Sequence, residues 1–301
     1  MNIKKYLTPY NYLKFVIRPM RQSFPNLIVD HLMHSLSWEE LTRNIGNCDL
    51  AELQLSSKEL QDWANEYYPD WLEIFGNLRH KKLIEFYITF KLLSPRKNHV
   101  FMDAAGGGNG YLAKLACKSK VLQDIRISNS TRKKLGLDIN YVEGNASSIP
   151  LPDKSVDRIS CHHSFEHFQG SSDIDFIKEV QRILTVGGKC CIVPLFFANR
   201  YAEITDRISL KFKSDPSSFR VIDPTATIPG RDYSGNYARV YDVPAFQRRI
   251  MQSIDLSRFV VTIFSVEIDG ELLPDMSLEC HKIATALNFP YRAFVIQRSS
   301  E

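Results

Sequence analysis

The stretch HVFMDAAGGGNGYLAKLA, residues 99–116, decides the fold. An apolar run ends at Asp103, a glycine cluster follows, and the residues after it have the spacing of an amphipathic helix. Glycines let a ligand approach the backbone closely, and the start of a helix presents N–H donors to it. The stretch therefore predicts a strand, a ligand-binding turn and a helix at the start of a parallel α/β unit.

The glycine spacing argues against one common ligand class. A dinucleotide-binding turn has the pattern G-x-G-x-x-G, and when the count starts at Gly106 the last position is Tyr111. A nicotinamide-dependent oxidoreductase is therefore the less favoured interpretation of this turn.

Polar side chains follow three successive predicted strands. Asp103 ends the first strand, Asp124 ends the second, and Asn145 with Ala146 follows the third. A carboxylate can accept hydrogen bonds from both ribose hydroxyls, and an amide can pair with an adenine edge. Because the carboxyl ends of parallel strands meet in one crevice, these residues predict a nucleoside site there.

With these motifs the chain resembles class I S-adenosylmethionine-dependent methyltransferases, in particular the small-molecule, type 11-like group. The resemblance covers about residues 98–200. It rests on the glycine turn Asp103–Asn109, the acid Asp124, the segment Gly144–Pro150, the strand Val156–Ile159 with Glu166 and His167 after it, and the segment Leu184–Gly188.

The resemblance implies S-adenosylmethionine as the cofactor and assigns roles by position. Residues carried over as cofactor-binding are Asp103 beneath the methionine amino group, Ala105, Gly106, Gly107 and Gly108 along the methionine and ribose, Asp124 at the ribose, Asn145 and Ala146 at adenine, and His162 after the fourth strand. Three positions depart from the pattern. Ala105 replaces the first glycine, Asn109 stands at the last glycine unless Gly110 fills it, and Asn145 replaces the usual aspartate.

The fold class predicted is α/β, with a Rossmann-like, seven-stranded, doubly wound sheet whose last strand is antiparallel. The strands are expected at residues 100–104, 120–125, 139–142, 156–161, 189–197, 259–267 and 291–297. Residues from about 24 to 96 have helical periodicity, so residues 1–96 are predicted to form a helical cap without strands, followed by a methyltransferase domain at 97–301. Ser56 and Glu59 are placed as a capping box at the start of one of the cap helices.

Residues 199–250 interrupt the predicted sheet with a polar, aromatic insert, positioned as a lid over an acceptor site. Arginine and tyrosine side chains there suit an anionic or sugar-like acceptor, although such residues are also common in any solvated excursion. The residues expected to bind substrate are His163, Arg231, Tyr233, Arg239 and Tyr241.

The segment CHHSFEHF, residues 161–168, supplies the candidate catalytic group. A base is needed only if the acceptor is a hydroxyl whose proton must leave, and His167 is the residue chosen for that role or for positioning the substrate. The alternative is a histidine that holds the following helix by hydrogen bonds. No metal site is expected from this cluster.

Composition limits the function classes. The net charge of +4 arises from mixed basic and acidic residues, which disfavours nucleic acid as a partner. The six cysteines form no C-x-x-C pair, and no stretch has the roughly 20 apolar residues of a membrane span, so a cytoplasmic location is expected.

Residues 1–22 mix lysine and arginine with aromatics, as an interfacial segment would, although an arm packed on the domain is favoured.

The sequence thus predicts methyl transfer from S-adenosylmethionine to a small molecule, with an oxygen acceptor on a sugar, glycan precursor or other secondary metabolite preferred. Two alternatives stay open. One is methylation of a protein or RNA, and the other is a non-catalytic binding or scaffold protein whose cofactor turn has diverged at Ala105 and Asn145.

Overall fold

The computed structural model describes residues 33–69, 79–108, 111–136, 138–205, 214–222, 237–272, 274–275 and 289–301. Its helices are α1 (Trp38–Asn44), α2 (Ser57–Tyr67), α3 (Arg79–Leu93), α4 (Tyr111–Lys114), α5 (Asn129–Leu135), α6 (Ser172–Ile183) and α7 (Val243–Arg249). Its strands are β1 (Asp49–Leu55), β2 (Val100–Ala104), β3 (Ser119–Asp124), β4 (Ile139–Glu143), β5 (Val156–His162), β6 (Leu184–Val193), β7 (Ala202–Thr205), β8 (Phe219–Ile222), β9 (Ala238–Val240), β10 (Phe259–Ile268), β11 (Glu271–Leu272), β12 (Pro274–Asp275), β13 (Phe289–Pro290) and β14 (Arg292–Arg298).

The main sheet has the order β1-β10-β14-β6-β5-β2-β3-β4, with β11 paired to β10. Strands β2 to β6 pair in parallel, whereas β14 is antiparallel to both of its neighbours, β6 and β10. The Rossmann-like sheet with an antiparallel last strand is confirmed. Its order reverses beside β2, and this is where parallel α/β sheets open a crevice at the carboxyl ends of their strands.

The expectation that the first third of the chain contains no strand is wrong. Strand β1 lies at the sheet edge and pairs in parallel with β10 over its whole length, from Asp49 opposite Thr262 to Leu55 opposite Ile268. Only Leu55 in this strand is buried, and the rest are exposed or half-buried. Residues 51–55 of this strand alternate apolar and polar side chains, but this period-2 stretch is short and lies between strongly helical segments, where it is easily missed.

Both ends of strand β6 differ from the predicted bounds for local reasons. Strand β6 begins at Leu184, five residues before the predicted start, because α6 runs directly into it. The strand ends at Val193, before Pro194, which has no N–H to donate to a neighbouring strand. Ser56 caps α2 by accepting from the Glu59 N–H, which is half of the predicted capping box, whereas the Glu59 carboxylate accepts from Tyr87 and Lys91 of α3.

Helix α3 brings polar groups into the interior. Phe86, Ile88 and Leu93 on this helix are fully buried, and so are the polar side chains of Glu85 and Thr89. Burial of unpaired polar groups is costly, so both side chains need partners. Those partners lie at the carboxyl end of β5, described below.

Residues 199–250, predicted as a lid insert, contain a small sheet of order β8-β7-β9, in which β7 is parallel to β8 and antiparallel to β9. A bridge between Phe197 and Tyr241 joins the insert to the end of the preceding segment, and Ala198, just before the insert, is bridged to Ser35. Within the described ranges, no helix is long and apolar enough to cross a membrane.

Candidate functional site

The turn after β2 is built from unusual backbone. Ala105 has φ +49° and Gly107 has φ +58°, both in the left-handed region. A Cβ added at Gly106 would lie 2.3 Å from Asp103 Oδ2 and 2.8 Å from Leu122 Cδ1, so only glycine fits. The turn therefore closes tightly over the Asp103 carboxylate, and Ala105 adopts a conformation that glycine adopts without strain.

Asp124 joins this turn to the end of β3. Its Oδ2 accepts the Gly107 N–H at 2.8 Å, its Oδ1 accepts the Arg126 N–H at 3.3 Å, and its backbone carbonyl accepts the Gly144 N–H at 3.0 Å. Burial raises the pKa of this carboxyl group, more than the backbone donors lower it. The structure thus brings Asp103, Asp124 and the segment after β4 to one edge, as the sequence predicted.

Asn145 and Ala146 lie in the turn after β4. The Asn145 side chain is exposed, and its Oδ1 accepts the Ser147 N–H at 3.0 Å in a local turn, while Ala146 is buried. An amide whose carbonyl is held by its own turn presents its NH₂ group as a donor. Asn145 therefore offers a hydrogen-bond donor at a position where an aspartate would offer only acceptors.

The side chain of Ile125, next to Asp124, was not predicted as part of the site. It is 67% exposed, one of the few large apolar side chains on the described surface that are not covered. An exposed apolar side chain beside a carboxylate offers a flat ring a contact surface. Nothing in the local sequence marks Ile125 as exposed, so only the structure reveals it.

Asp103 and His162 form a buried polar chain beneath the turn. Asp103 Oδ1 accepts from Ser160 Oγ at 2.6 Å and lies 3.2 Å from His162 Nδ1, while His162 Nε2 lies 2.9 Å from Thr89 Oγ1. All four side chains are nearly or fully buried. His162, carried over as a cofactor contact, is thus placed below the turn and against Asp103.

His163 lies in a second buried cluster beside it. The ring pairs with Glu85 through Nε2, and Nδ1 lies 3.5 Å from Glu166 Oε1. Burial opposes a charged ring, but the carboxylates of Glu85 and Glu166 together outweigh it and raise the pKa of His163 to about 9. His163, expected to bind substrate, is thus held as an imidazolium between two buried carboxylates.

His167 faces both the insert and this cluster. Its Nδ1 lies 2.5 Å from the Tyr237 carbonyl, and its Nε2 lies 3.6 Å from Glu166 Oε1. Because a carbonyl only accepts, Nδ1 carries a proton. The side chain is 44% exposed, so part of the ring is accessible from solvent.

Comparisons with known proteins agree with this geometry. Residues 104–192 match the family model described as a methyltransferase domain. An uncharacterized methyltransferase of Geobacillus sp. (strain WCH70) is 23% identical over 153 residues, which cover 47% of this chain and 68% of that protein. The uncharacterized methyltransferase YcgJ of Bacillus subtilis (strain 168) is 27% identical over 115 residues, which cover 35% of this chain and 44% of that protein. Residues 104–192 are therefore similar to a methyltransferase domain.

Among solved structures, the chain is similar to the Burkholderia thailandensis 1,6-didemethyltoxoflavin-N1-methyltransferase, which was crystallised with 1,6-didemethyltoxoflavin and S-adenosylhomocysteine. The two share 10% identity with a TM-score of 0.47, over 80% of this chain and 88% of that one.

Two site residues come from outside the matched methyltransferase domain. Glu85 and Thr89, one turn apart on α3, contact His163 and His162 respectively. Both stand among apolar residues in the sequence, where a lone acid or threonine gives no functional signal. Only the docking of α3 on β5 and β6 reveals their roles.

Two residues of the insert expected to bind substrate lie in the interior. Arg239 Nη1 lies 2.7 Å from Asp173 Oδ2, and the Tyr241 hydroxyl donates to the same oxygen at 2.7 Å. Both side chains are about 1% exposed, so their partners are protein groups that tie the insert to α6. Arg231 and Tyr233 lie outside the described residues. Within the described part of the chain, no group of histidine, cysteine and acidic residues could hold a metal ion.

Proposed function

We propose that this protein transfers a methyl group from S-adenosylmethionine to a small-molecule acceptor. The observation that carries the proposal is the junction of Gly107 and Asp124, where a half-buried carboxylate at the end of β3 meets the glycine turn at 2.8 Å. Asp124 retains acceptor capacity for ribose hydroxyls, since a carboxylate has about four lone-pair sites.

Different residues of this site would contact the base and the amino-acid part of S-adenosylmethionine. The closed turn at Gly106, which has no room for a Cβ, leaves backbone on the ligand side. Exposed Ile125 would contact the base, and the Asn145 NH₂ would donate to one of its ring nitrogens. Asp103, with Ala105, Gly107 and Gly108 above it, would hold the amino-acid part, and Ala146 would line the base.

The bound donor supplies a methyl group already activated on sulfonium. What remains for the protein is to place the acceptor atom in line with that methyl group and to exclude water. The acceptor side is formed by His163, Glu166 and His167 after β5, between the turn and the insert. This side presents the partly exposed His167 imidazole, whereas Arg239 and Arg249 of the insert are paired with carboxylates.

For an oxygen acceptor on a sugar, glycan precursor or other secondary metabolite, His167 is the proposed base. Its Nδ1 proton is committed to the Tyr237 carbonyl, which leaves Nε2 to take a proton from a hydroxyl. Glu166, 3.6 Å from Nε2, would stabilise the imidazolium that forms. The Burkholderia methyltransferase, crystallised with a small heterocycle, supports only the size class of the acceptor.

The test is thermal unfolding of the full chain with S-adenosylmethionine and with S-adenosylhomocysteine. Both ligands are expected to raise the melting temperature of the parent and not that of Asp124→Ala, because a ligand that binds only the folded state stabilises it. Asp153→Ala, at a carboxylate 72% exposed on the surface, is the matched control and should keep the shift. No shift of the parent at millimolar ligand would refute the proposal.

A second candidate is a binding protein without catalysis, which Ala105 at φ +49° favours, because a diverged turn is strained where the family has glycine. The same thermal unfolding experiment separates the methyltransferase from the non-catalytic binding protein. A methyltransferase is expected to bind the demethylated product as well as the donor, whereas a scaffold would bind neither.

A further inference from the structure

The hydrogen bonds around His162 fix its protonation pattern. The Asp103 carboxylate, 3.2 Å from Nδ1, can only accept, so Nδ1 carries a proton. In the neutral ring Nε2 then has a lone pair, and the group opposite it is the Thr89 hydroxyl at 2.9 Å. Thr89 therefore donates to Nε2. Cys191 Sγ, the other group within its reach, is 4.0 Å away.

Within the described residues, the polar partners of the His162 ring are Asp103 and Thr89. His162 is 3% exposed, and Phe86 and Tyr111 pack edge-on against it, each with centroids 5.0 Å from the ring. A buried ring nitrogen without a partner is costly. The hydroxyl of Thr89 is thus the group that completes the hydrogen bonding of His162 within the described structure.

Movement of His162 would be transmitted to the glycine turn. Asp103 Oδ1 is held by Ser160 and His162, and Oδ2 lies against the Gly106 Cα, where a Cβ would be 2.3 Å away. A rotation of the carboxylate would therefore push Gly106 or open a gap beneath it. The position of the turn depends on the ring, and the ring depends on Thr89.

We propose that Thr89 of helix α3 is a positioning residue of the methyl-donor site, which acts through His162 and Asp103 on the glycine turn. This proposal rests on the function proposed above. It extends the donor site to a helix outside the matched segment 104–192, and makes the docking of α3 a condition for donor binding.

The experiment is calorimetric titration of the full chain with S-adenosylmethionine, for the parent, Thr89→Val and Thr89→Ser. Valine keeps the shape and removes the donor, so the affinity is expected to fall roughly tenfold, the size of effect of one buried hydrogen bond. Serine keeps the hydroxyl and should restore the affinity to within about twofold of the parent. Equal affinity of the parent and Thr89→Val would overturn the proposal.

Thr205→Val is the matched control. Thr205 is 4% exposed in β7, and its hydroxyl has no hydrogen-bond partner in the described structure. The substitution is therefore the same chemical change at a buried site remote from α3. It should leave the affinity unchanged, and an equal loss in this variant would assign the effect to general destabilisation and overturn the proposal.

Nitrogen-15 NMR of the histidine rings gives a second readout that needs no ligand. His162 of the parent should show a protonated Nδ1 and a hydrogen-bonded, unprotonated Nε2, and the Nε2 resonance should move in Thr89→Val and return in Thr89→Ser. A protonated Nε2 with a bare Nδ1 in the neutral ring would overturn the proposal, even if Thr89→Val does not fold.

If the parent binds no S-adenosylmethionine, the proposed function fails and the proposal, which rests on it, falls with it. The NMR result then shows whether the hydrogen bond itself exists, so the two failures are distinguishable.

Discussion

Glu85 and His163, 78 residues apart in sequence, form a buried ion pair between helix α3 and the carboxyl end of β5. The Glu85 side chain is fully buried and that of His163 is 13% exposed. Lys82 Nζ contacts the other oxygen of Glu85 at 3.2 Å, so the carboxylate has a cation on each side. A pair buried to this extent holds the helix in place, because its separation would leave charges without partners in the interior.

This pair makes stability depend on pH. The pKa of His163 is raised in the folded state from 6.5 to about 9. A raised histidine pKa contributes stability that is fully present below about pH 6.5 and is lost as the pH rises through 9. We expect Glu85→Gln to lower stability at pH 6 by about 3 to 5 kcal/mol, the cost of removing one partner of a buried pair.

The measurement is a set of urea unfolding curves for the parent and Glu85→Gln at pH 6, 7.5 and 9. The loss of stability between pH 6 and 9 should be smaller in the variant than in the parent. Glu39→Gln removes the partner of Arg43 at a side chain 81% exposed and should cost less than about 1 kcal/mol at every pH. An unchanged pH profile in Glu85→Gln would contradict the ion pair.

Ala105→Gly should stabilise the protein. Alanine at φ +49° is strained by its Cβ, and glycine at a left-handed position is favoured by about 1 kcal/mol even after its larger entropy loss on folding. Ala51→Gly in the extended strand β1 is the control, where the same change should destabilise by about 0.5 to 1 kcal/mol. Thermal melts that shift in the same direction for both variants would refute the backbone argument.

Gly106→Ala tests the closed turn. The added methyl group would lie 2.3 Å from the Asp103 carboxylate, which is held from below and cannot retreat freely, so the turn must shift. We expect a loss of about 1 to 3 kcal/mol, typical of overpacking, and no thermal shift with S-adenosylmethionine. Gly46→Ala, where a Cβ would meet nothing within 4 Å, should preserve both stability and the shift. A Gly106→Ala protein that still responds to the ligand would show that the turn is not at the site.

The strands β2 to β6, and the meeting of Asp103 and Asp124 at one sheet edge, could be predicted from sequence because each signal is local. Asp103 and Asp124 follow apolar runs, and parallel topology alone brings strand ends together. Glu85 and Thr89 could not be predicted, since their role depends on how α3 docks on β5 and β6. Strand β1 was missed because its alternating stretch, residues 51–55, is short, and its partner β10 lies more than 200 residues away in sequence.

The choice of acceptor-binding residues in the insert depended on side-chain chemistry alone, without knowledge of burial. Arg239 and Tyr241 have the donors suited to an anionic acceptor, yet the partner the structure gives both is Asp173 of α6. A sequence shows which groups can bind an anion but not whether a protein carboxylate already does so. Asp173 opens α6 in the sequence as an ordinary first-turn acid, so nothing local marks it as buried.

Asp173→Asn should therefore destabilise the junction between the insert and α6. Asp173 is fully buried and pairs with Arg239 at 2.7 Å and with Arg249 at 2.7 Å, so the variant leaves two buried guanidinium groups short of negative charge. We expect a cost of about 3 to 5 kcal/mol in urea unfolding, with the midpoint lowered and the slope unchanged. Asp153→Asn removes the partner of Arg182 at a side chain 72% exposed and should cost less than about 1 kcal/mol. Equal midpoints for the two variants would mean that Asp173 does not hold the insert, and Arg239 would then return as a candidate for binding the acceptor.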